Sequence, residues 1–213
     1  MKITIGLFCA AAFLFLGAPQ SRGGTSFCTS SGNLVANCGF ETGDFSSWTV
    51  AGLDVPGQLN NLYGVEGTDP FPLPGGTAPN SGSFQAFFSD ANARPTTISE
   101  VLSTAIGGQY TISFYLAQEL VGPGTVNNSV AVSFGGTTLA TLTNVPVEGY
   151  TQYVYMATAT TASTTLSLSF GNDIGEFLLD DVQVATPEPA TWGLMLFAGL
   201  MFFVGRKRFS RAA

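Results

Sequence analysis

The chain contains no histidine, and between Lys2 and Lys207 it contains no lysine. That removes the commonest general base, the commonest transition-metal ligand and the Schiff-base nucleophile. Hydrolases of the Ser-His-Asp or Cys-His type are therefore excluded. Positive charge of any kind is scarce. Between residues 26 and 185 the only cation is Arg94, against thirteen carboxylates. A domain of that balance cannot hold nucleic acid by neutralising phosphates. It stays soluble by self-repulsion and could hold a hard cation such as calcium. Cysteine is also sparse, with Cys9, Cys28 and Cys38 alone. Helical apolar periodicity is missing everywhere except at the two ends.

Those two ends are the long hydrophobic runs. Met1 and Lys2 lead into an apolar core over 3–16, and Gly17 and Ala18 give a small-residue exit, so residues 1–25 read as a secretory signal peptide. Pro19 argues against cleavage directly after Ala18, and the site is expected near 21–26. Phe8 before Cys9 is too bulky for a lipid-attachment signal. At the other end Pro187, Glu188 and Pro189 precede an apolar run over 190–205, followed by Arg206, Lys207, Arg208 and Arg211. As a helix that run reaches about 24 Å, enough to cross a bilayer if its flanks snorkel or tilt. The cations favour the cytoplasmic side and leave the rest of the chain outside.

What lies between, residues 26–185, is long enough for one domain with one core. It reads as β-strand. The segment 109–117 sets Tyr110, Ile112, Phe114 and Leu116 against Thr111, Ser113 and Tyr115. The segments 129–134 and 164–170 repeat the alternation, which marks half-buried antiparallel strands. Further strands are expected at 34–37, 48–51, 84–89, 97–102, 137–142, 150–156 and 177–184. Glycine-rich turns separate them, so an all-β antiparallel sandwich is expected. Residues 52–82, rich in Gly, Pro and Asn, read as one long functional or disordered loop. Cys28 and Cys38, ten residues apart in an oxidising compartment, read as a disulfide. No histidine or lysine is present to make either one a reactive thiol.

Two resemblances follow from these motifs. The Pro-Glu-Pro triplet, apolar run and basic cluster resemble the PEP-CTERM sorting signal of Gram-negative bacteria, which implies processing by the membrane enzyme exosortase. The segments 33–50 (NLVANCGFETGDFSSWTV) and 176–184 (EFLLDDVQV) resemble the boundary strands of carbohydrate-binding jelly-roll sandwiches of the galactose-binding-like kind. That resemblance implies a jelly roll and a structural calcium site, with Glu41 and Asp180 or Asp181 as ligands. Asp180 shares strand parity with Val182 and Val184 and is expected inward, where an unpaired carboxylate is costly.

Sugar binding needs exposed aromatics flanked by polar side chains. Trp48 is expected in the core. Tyr63, Phe71 and Tyr115, the last with Gln118 and Glu119 beyond it, are the candidates for stacking. Tyr153 and Tyr155 should share a face that Tyr150 does not. A glycosidase needs two carboxylates across a cleft, but Asp180 and Asp181, adjacent on a strand, should point to opposite faces. Glu100, Glu119 and Glu148 have no reason in the sequence to converge. The resulting expectation is an exported, non-enzymatic surface or matrix protein. Its helix would hold it in the inner membrane before processing, and it would associate with exopolysaccharide. A carbohydrate-binding module and a carboxylate-based glycoside hydrolase are the alternatives.

Overall fold

The alternating runs become strands, and the strands become two sheets. A computed structural model describes Cys28 and residues 32–52, 62–68, 77–89, 94–120, 127–173 and 175–187. Within them lie ten strands: β1 (Thr49–Ala51), β2 (Tyr63–Glu66), β3 (Gln85–Phe88), β4 (Thr96–Ser103), β5 (Gln109–Leu120), β6 (Asn128–Phe134), β7 (Thr137–Thr143), β8 (Glu148–Thr158), β9 (Ser163–Asn172) and β10 (Gly175–Ala185). One sheet has the order β1-β4-β9-β6-β7 and the other β2-β3-β10-β5-β8. All pairings are antiparallel.

Without the short edge strands β1 and β2, the orders are β4-β9-β6-β7 and β3-β10-β5-β8. The chain changes sheet at every connection from β3 to β10 except the β6–β7 hairpin. That is the eight-stranded jelly roll, two Greek keys wrapped together. The hairpin itself follows from Gly135 and Gly136, with φ of 60° and 78°. Two successive positive φ values give the primed two-residue turn that matches strand twist.

Between the sheets the expected inward residues meet. Ile112, Phe114 and Leu116 of β5, Val130 and Val132 of β6, and Leu166, Leu168 and Phe170 of β9 are all buried. Phe88 and Phe170 stack across the sandwich with centroids 4.1 Å apart. Trp48 lies in this core and stacks on Phe40 at 5.9 Å. Burying one such side chain is worth about 1.5–3 kcal/mol, so the aromatic cluster is a main source of cohesion.

The sequence expectations need two corrections here. Residues 34–37 form no strand: they enter a run of turns in which Asn37 and Phe40 take φ of 48° and 57°. The Asn37 side chain holds the turns, donating to the Asp44 and Ser46 carbonyls and accepting from the Thr42 amide. This N-terminal strap still borders β10, because the Leu34 amide donates to the Val184 carbonyl and the Val182 amide to the Cys38 carbonyl. Nor is 52–82 one long loop, since β2 falls inside it and pairs with β3. The expected signal peptide and the helix over 190–205 lie outside the described residues. Among the described residues no helix is long and apolar enough to cross a membrane.

The strap is closed by the Cys28–Cys38 disulfide, with Cα atoms 5.6 Å apart. Replacing both cysteines by serine should lower stability by about 2–3 kcal/mol through the released loop entropy. Thermal unfolding measures this directly, and an unchanged midpoint would mean that the strap holds without its bond.

Candidate functional site

On β10 the two adjacent aspartates do not alternate. The strand pairs Asp180 with Tyr115 but Gln183 with Ser113, so two residues of β10 oppose one of β5. The extra residue is accommodated as Asp181 turns to φ of 52°, a bulge of the kind with a left-handed first residue. Upstream of it, Phe177 and Leu179 point into the core. Downstream, Val182 and Val184 do. Asp180 therefore shares a face with Leu178 and with its partner Tyr115, the outer face of the sheet. This corrects both expectations from parity: Asp180 is not on the face of Val182 and Val184, and Asp180 and Asp181 do not diverge.

Both carboxylates instead meet the segment Asn80–Ser83. The Ser81 amide donates to Asp180 Oδ2 at 3.0 Å and the Ser81 hydroxyl to Asp181 Oδ1 at 2.7 Å. Asn80 Nδ2 donates to Asp181 Oδ2 at 2.8 Å, and the Asp181 amide to Asp180 Oδ1 at 2.7 Å. Both side chains are shut from solvent, although they stand on an outer face. Burial, and next the charge of Asp181, push the Asp180 carboxyl up to about 8. Glu41 approaches the same segment from the strap. Its carboxylate accepts from the Ser83 amide at 3.0 Å and the Phe84 amide at 3.3 Å.

The fit of this place to calcium is mixed. Two buried, adjacent carboxylates suit a hard cation, and Arg94, the only cationic side chain among the described residues, is exposed. Glu41, however, turns both oxygens toward backbone amides. Among the described residues no three Asp, Glu, Cys or His side chains are grouped to hold a metal ion. The four oxygens of Asp180 and Asp181 also accept hydrogen bonds, from Ser81, Asn80 and the Asp181 amide. A cation here would share or displace those donors and would need hydroxyl, amide or carbonyl oxygens in place of a third carboxylate.

Beside the aspartates a polar network crosses the outer face. Tyr150 donates to Gln85 Oε1 at 2.6 Å, and Gln85 Nε2 donates to the Thr77 carbonyl at 3.0 Å. The Thr77 hydroxyl in turn donates to Glu119. Tyr150 stands on β8 and Gln85 on β3, with β5 and β10 between them. Three strand spacings are about 14 Å, so both side chains lie along the sheet, and the outward Leu178 and Ala117 between them are buried. Burial holds the Tyr150 hydroxyl well above its usual range, and the charges of Asp180, Asp181, Glu119 and Glu66 add to the shift. Four acids thus converge on one tyrosine. Nothing in the sequence brings Glu66 and Glu119 together, since one lies in the supposed loop and the other on β5.

Further along the same face the surface opens. Tyr115 is half-buried and sits directly opposite the exposed Gln152 of β8, with Ser113 opposite Val154 beside them. Tyr63 goes elsewhere. It stands on the inward face of β2 against Phe45, with centroids 6.3 Å apart, so the structure does not bring it together with Tyr115. Phe71 lies outside the described residues. Tyr153 and Tyr155 share the inner face, as expected, and pack on Phe114 with centroids 5.6 and 6.2 Å away. Gln118 is buried, whereas Glu119 joins the outer network. Glu100 is held apart in the other sheet, where it accepts from the Ala36 amide at 3.0 Å.

β10 ends at Ala185, and Thr186 and Pro187 leave the sandwich exposed. Residues 185–208 match the PEP-CTERM protein-sorting motif. The match takes in Pro187, Glu188, Pro189, Arg206, Lys207 and Arg208, all of which except Pro187 lie outside the described residues. The sorting motif thus begins where the last strand stops. No curated protein matches the chain.

Among solved structures the chain is similar to TmCBM61, in complex with beta-1,4-galactotriose, at 20% identity and a TM-score of 0.49, over 74% of this chain and 100% of that one. It is similar to the CBM22-1 xylan-binding domain from Paenibacillus barcinonensis Xyn10C, at 16% identity and a TM-score of 0.46, over 80% and 100%. It is also similar to the enzymatically active domain of bacteriophage CBA120 tailspike protein 4, at 15% identity and a TM-score of 0.49, over 73% of this chain and 21% of that one. At these identities and overlaps no ligand or activity transfers.

Proposed function

We propose that this is an exported, non-catalytic protein whose jelly roll binds neutral glycan at the cell surface or in the extracellular matrix. The observation that carries the reading is the open part of the outer face, where the half-buried Tyr115 stands across from the exposed Gln152 with the exposed Val154 alongside. An aromatic side chain flanked by an exposed amide is what a sugar ring requires. The acidic surroundings repel uronic-acid polymers and leave neutral polysaccharides as the ligand class.

The PEP-CTERM tail supports export, with exosortase as the processing partner and the inner membrane as the anchor before processing. Exopolysaccharide is then the partner outside. A non-catalytic role accords with the absence of histidine, and with Asp180 and Asp181 being committed to Asn80 and Ser81. Calcium, when bound, would sit on Asp180 and Asp181 and supply the positive charge that this buried pair lacks.

Retention of the purified full-length protein in gels loaded with neutral or anionic polysaccharides tests the reading. Retention should occur with a neutral polymer and fall about tenfold in affinity, about 1.4 kcal/mol, on Tyr115→Ala. Equal retention of wild type and variant, or retention by anionic polymers alone, would sink it.

A further inference from the structure

The charges of this acidic chain are unevenly placed. Between Glu119 and Asp173 the sequence holds one charged residue, Glu148. That span makes β6, β7, β8 and β9. It includes both strands that close the sheets on this side, β7 in one sheet and β8 in the other. Edge strands are usually guarded by charges, by proline or by shortness, because their unpaired backbone groups invite another strand. β8 is eleven residues long and carries neither charge nor proline after Glu148. The bulge it shares with β5 is confined to its first residues, near Ala117. Beyond the bulge its register is regular from Thr151 to Thr158. Val154 and Met156 on it are 55% and 64% exposed. Among the described residues no strand pairs with its far side.

The charge pattern also selects the partner. With a formal net charge of −7, two copies repel wherever their carboxylates meet. Along β8 they meet none, apart from Glu148 at the strand's start.

We propose that β8 is a self-pairing edge, joining two copies of this chain through antiparallel β8–β8 contact about a two-fold axis at Val154. Directly opposed residues of an antiparallel pair point to the same face. A two-fold axis perpendicular to the sheet therefore pairs outward residues only with outward ones. With the axis at Val154, Gln152 opposes Met156 and Tyr153 opposes Tyr155 of the second copy. Two cross-strand tyrosine pairs form, and each Glu148 falls beyond the paired length. The product is a closed dimer with one continuous ten-stranded sheet.

Two single substitutions in the full-length protein test this, Val154→Cys and Val101→Cys. Val101, on β4 of the other sheet, is 66% exposed and serves as the equally accessible control. Opposed side chains at the axis bring their Cβ atoms to about 4.5–5.5 Å, close to disulfide reach. Under mild oxidation V154C should yield at least tenfold more disulfide-linked dimer than V101C on a non-reducing gel. Val154→Glu, which sets two carboxylates face to face, should shift the wild-type dimer to monomer by sedimentation with an unchanged circular dichroism spectrum. Equal cross-linking of the two cysteine variants would overturn the proposal. So would a dimer indifferent to V154E, which would place association in the apolar tail instead.

Discussion

In the presence of chelator, the melting temperature of this protein should fall as pH rises from 5 to 9, and calcium should restore it. The reason lies in Asp180. Its carboxyl is held up to about 8 in the folded chain, against about 3.9 in an unfolded one. The folded state thus holds a proton that the unfolded state has already released. Stability from this group is fully present below pH 4 and is lost as pH climbs through 8. The full difference is on the order of 5 kcal/mol, reached only above pH 8. The Glu100 carboxyl, also raised by burial, adds a slope of the same sign. Asp180→Asn isolates the larger one.

An amide at that position keeps one acceptor but turns a donor toward either the Ser81 or the Asp181 amide. This lowers stability by about 1–3 kcal/mol at acid pH, where the wild-type carboxyl keeps its proton. Above pH 8, in chelator, the ordering should reverse, because the amide cannot ionise. The informative readout is therefore the slope, which should flatten in the variant while the wild type stays steep. Calcium should raise the wild-type midpoint most at pH 9, where it neutralises the ionised pair, and should leave Asp180→Asn far less changed. A wild-type midpoint indifferent to calcium at pH 9 would end the case for a metal on Asp180 and Asp181. A flat profile in chelator would show that the buried carboxyl is ionised throughout.

Gly82→Ala should cost about 3 kcal/mol, a fall of about 6–12 °C for a domain of this size. Gly82 holds φ of 65°, which a side chain adopts at about 1–2 kcal/mol. A Cβ there would also run into the Glu41 carboxylate. The collision pushes Glu41 away from the Ser83 and Phe84 amides, and hydrogen bonds to a charged group are worth about 1.5–3 kcal/mol. Gly107→Ala is the matched control, with φ of 77° and open space around the position. It bears the conformational cost alone. If the two variants melt together, the Glu41 seat contributes nothing to stability.

How far the sequence foretold this follows from where alternation survives. β5, β6 and β9 each keep strict period two, and their inward residues could be named from the chain alone. Trp48 was equally legible. The misreadings occur where the backbone leaves that period. Asn37 in a left-handed conformation turned an apparent strand at 34–37 into the hub of a set of turns. β2, four residues of TyrGlyValGlu, pairs among the described residues with β3 alone, and so short a strand among glycines and prolines carries no period to detect. At Asp181 one extra residue reversed the face of Asp180 and brought both aspartates to Ser81. Gln85 and Tyr150, which tie β3 to β8, could not be connected from the sequence, since their contact depends on the order of four strands.

The route by which the tail leaves the domain has a mechanical meaning. The sorting motif continues directly from β10, which is bonded on one side to β3 and along most of its length on the other to β5. Ladder hydrogen bonds run perpendicular to the strands. A pull along the tail, from flow or a moving polymer, would load the bonds flanking β10 in shear and together. An edge strand pulled from its end would unzip one bond at a time. Continued into its tail through a central strand, the sandwich should resist such a pull without peeling open from that end.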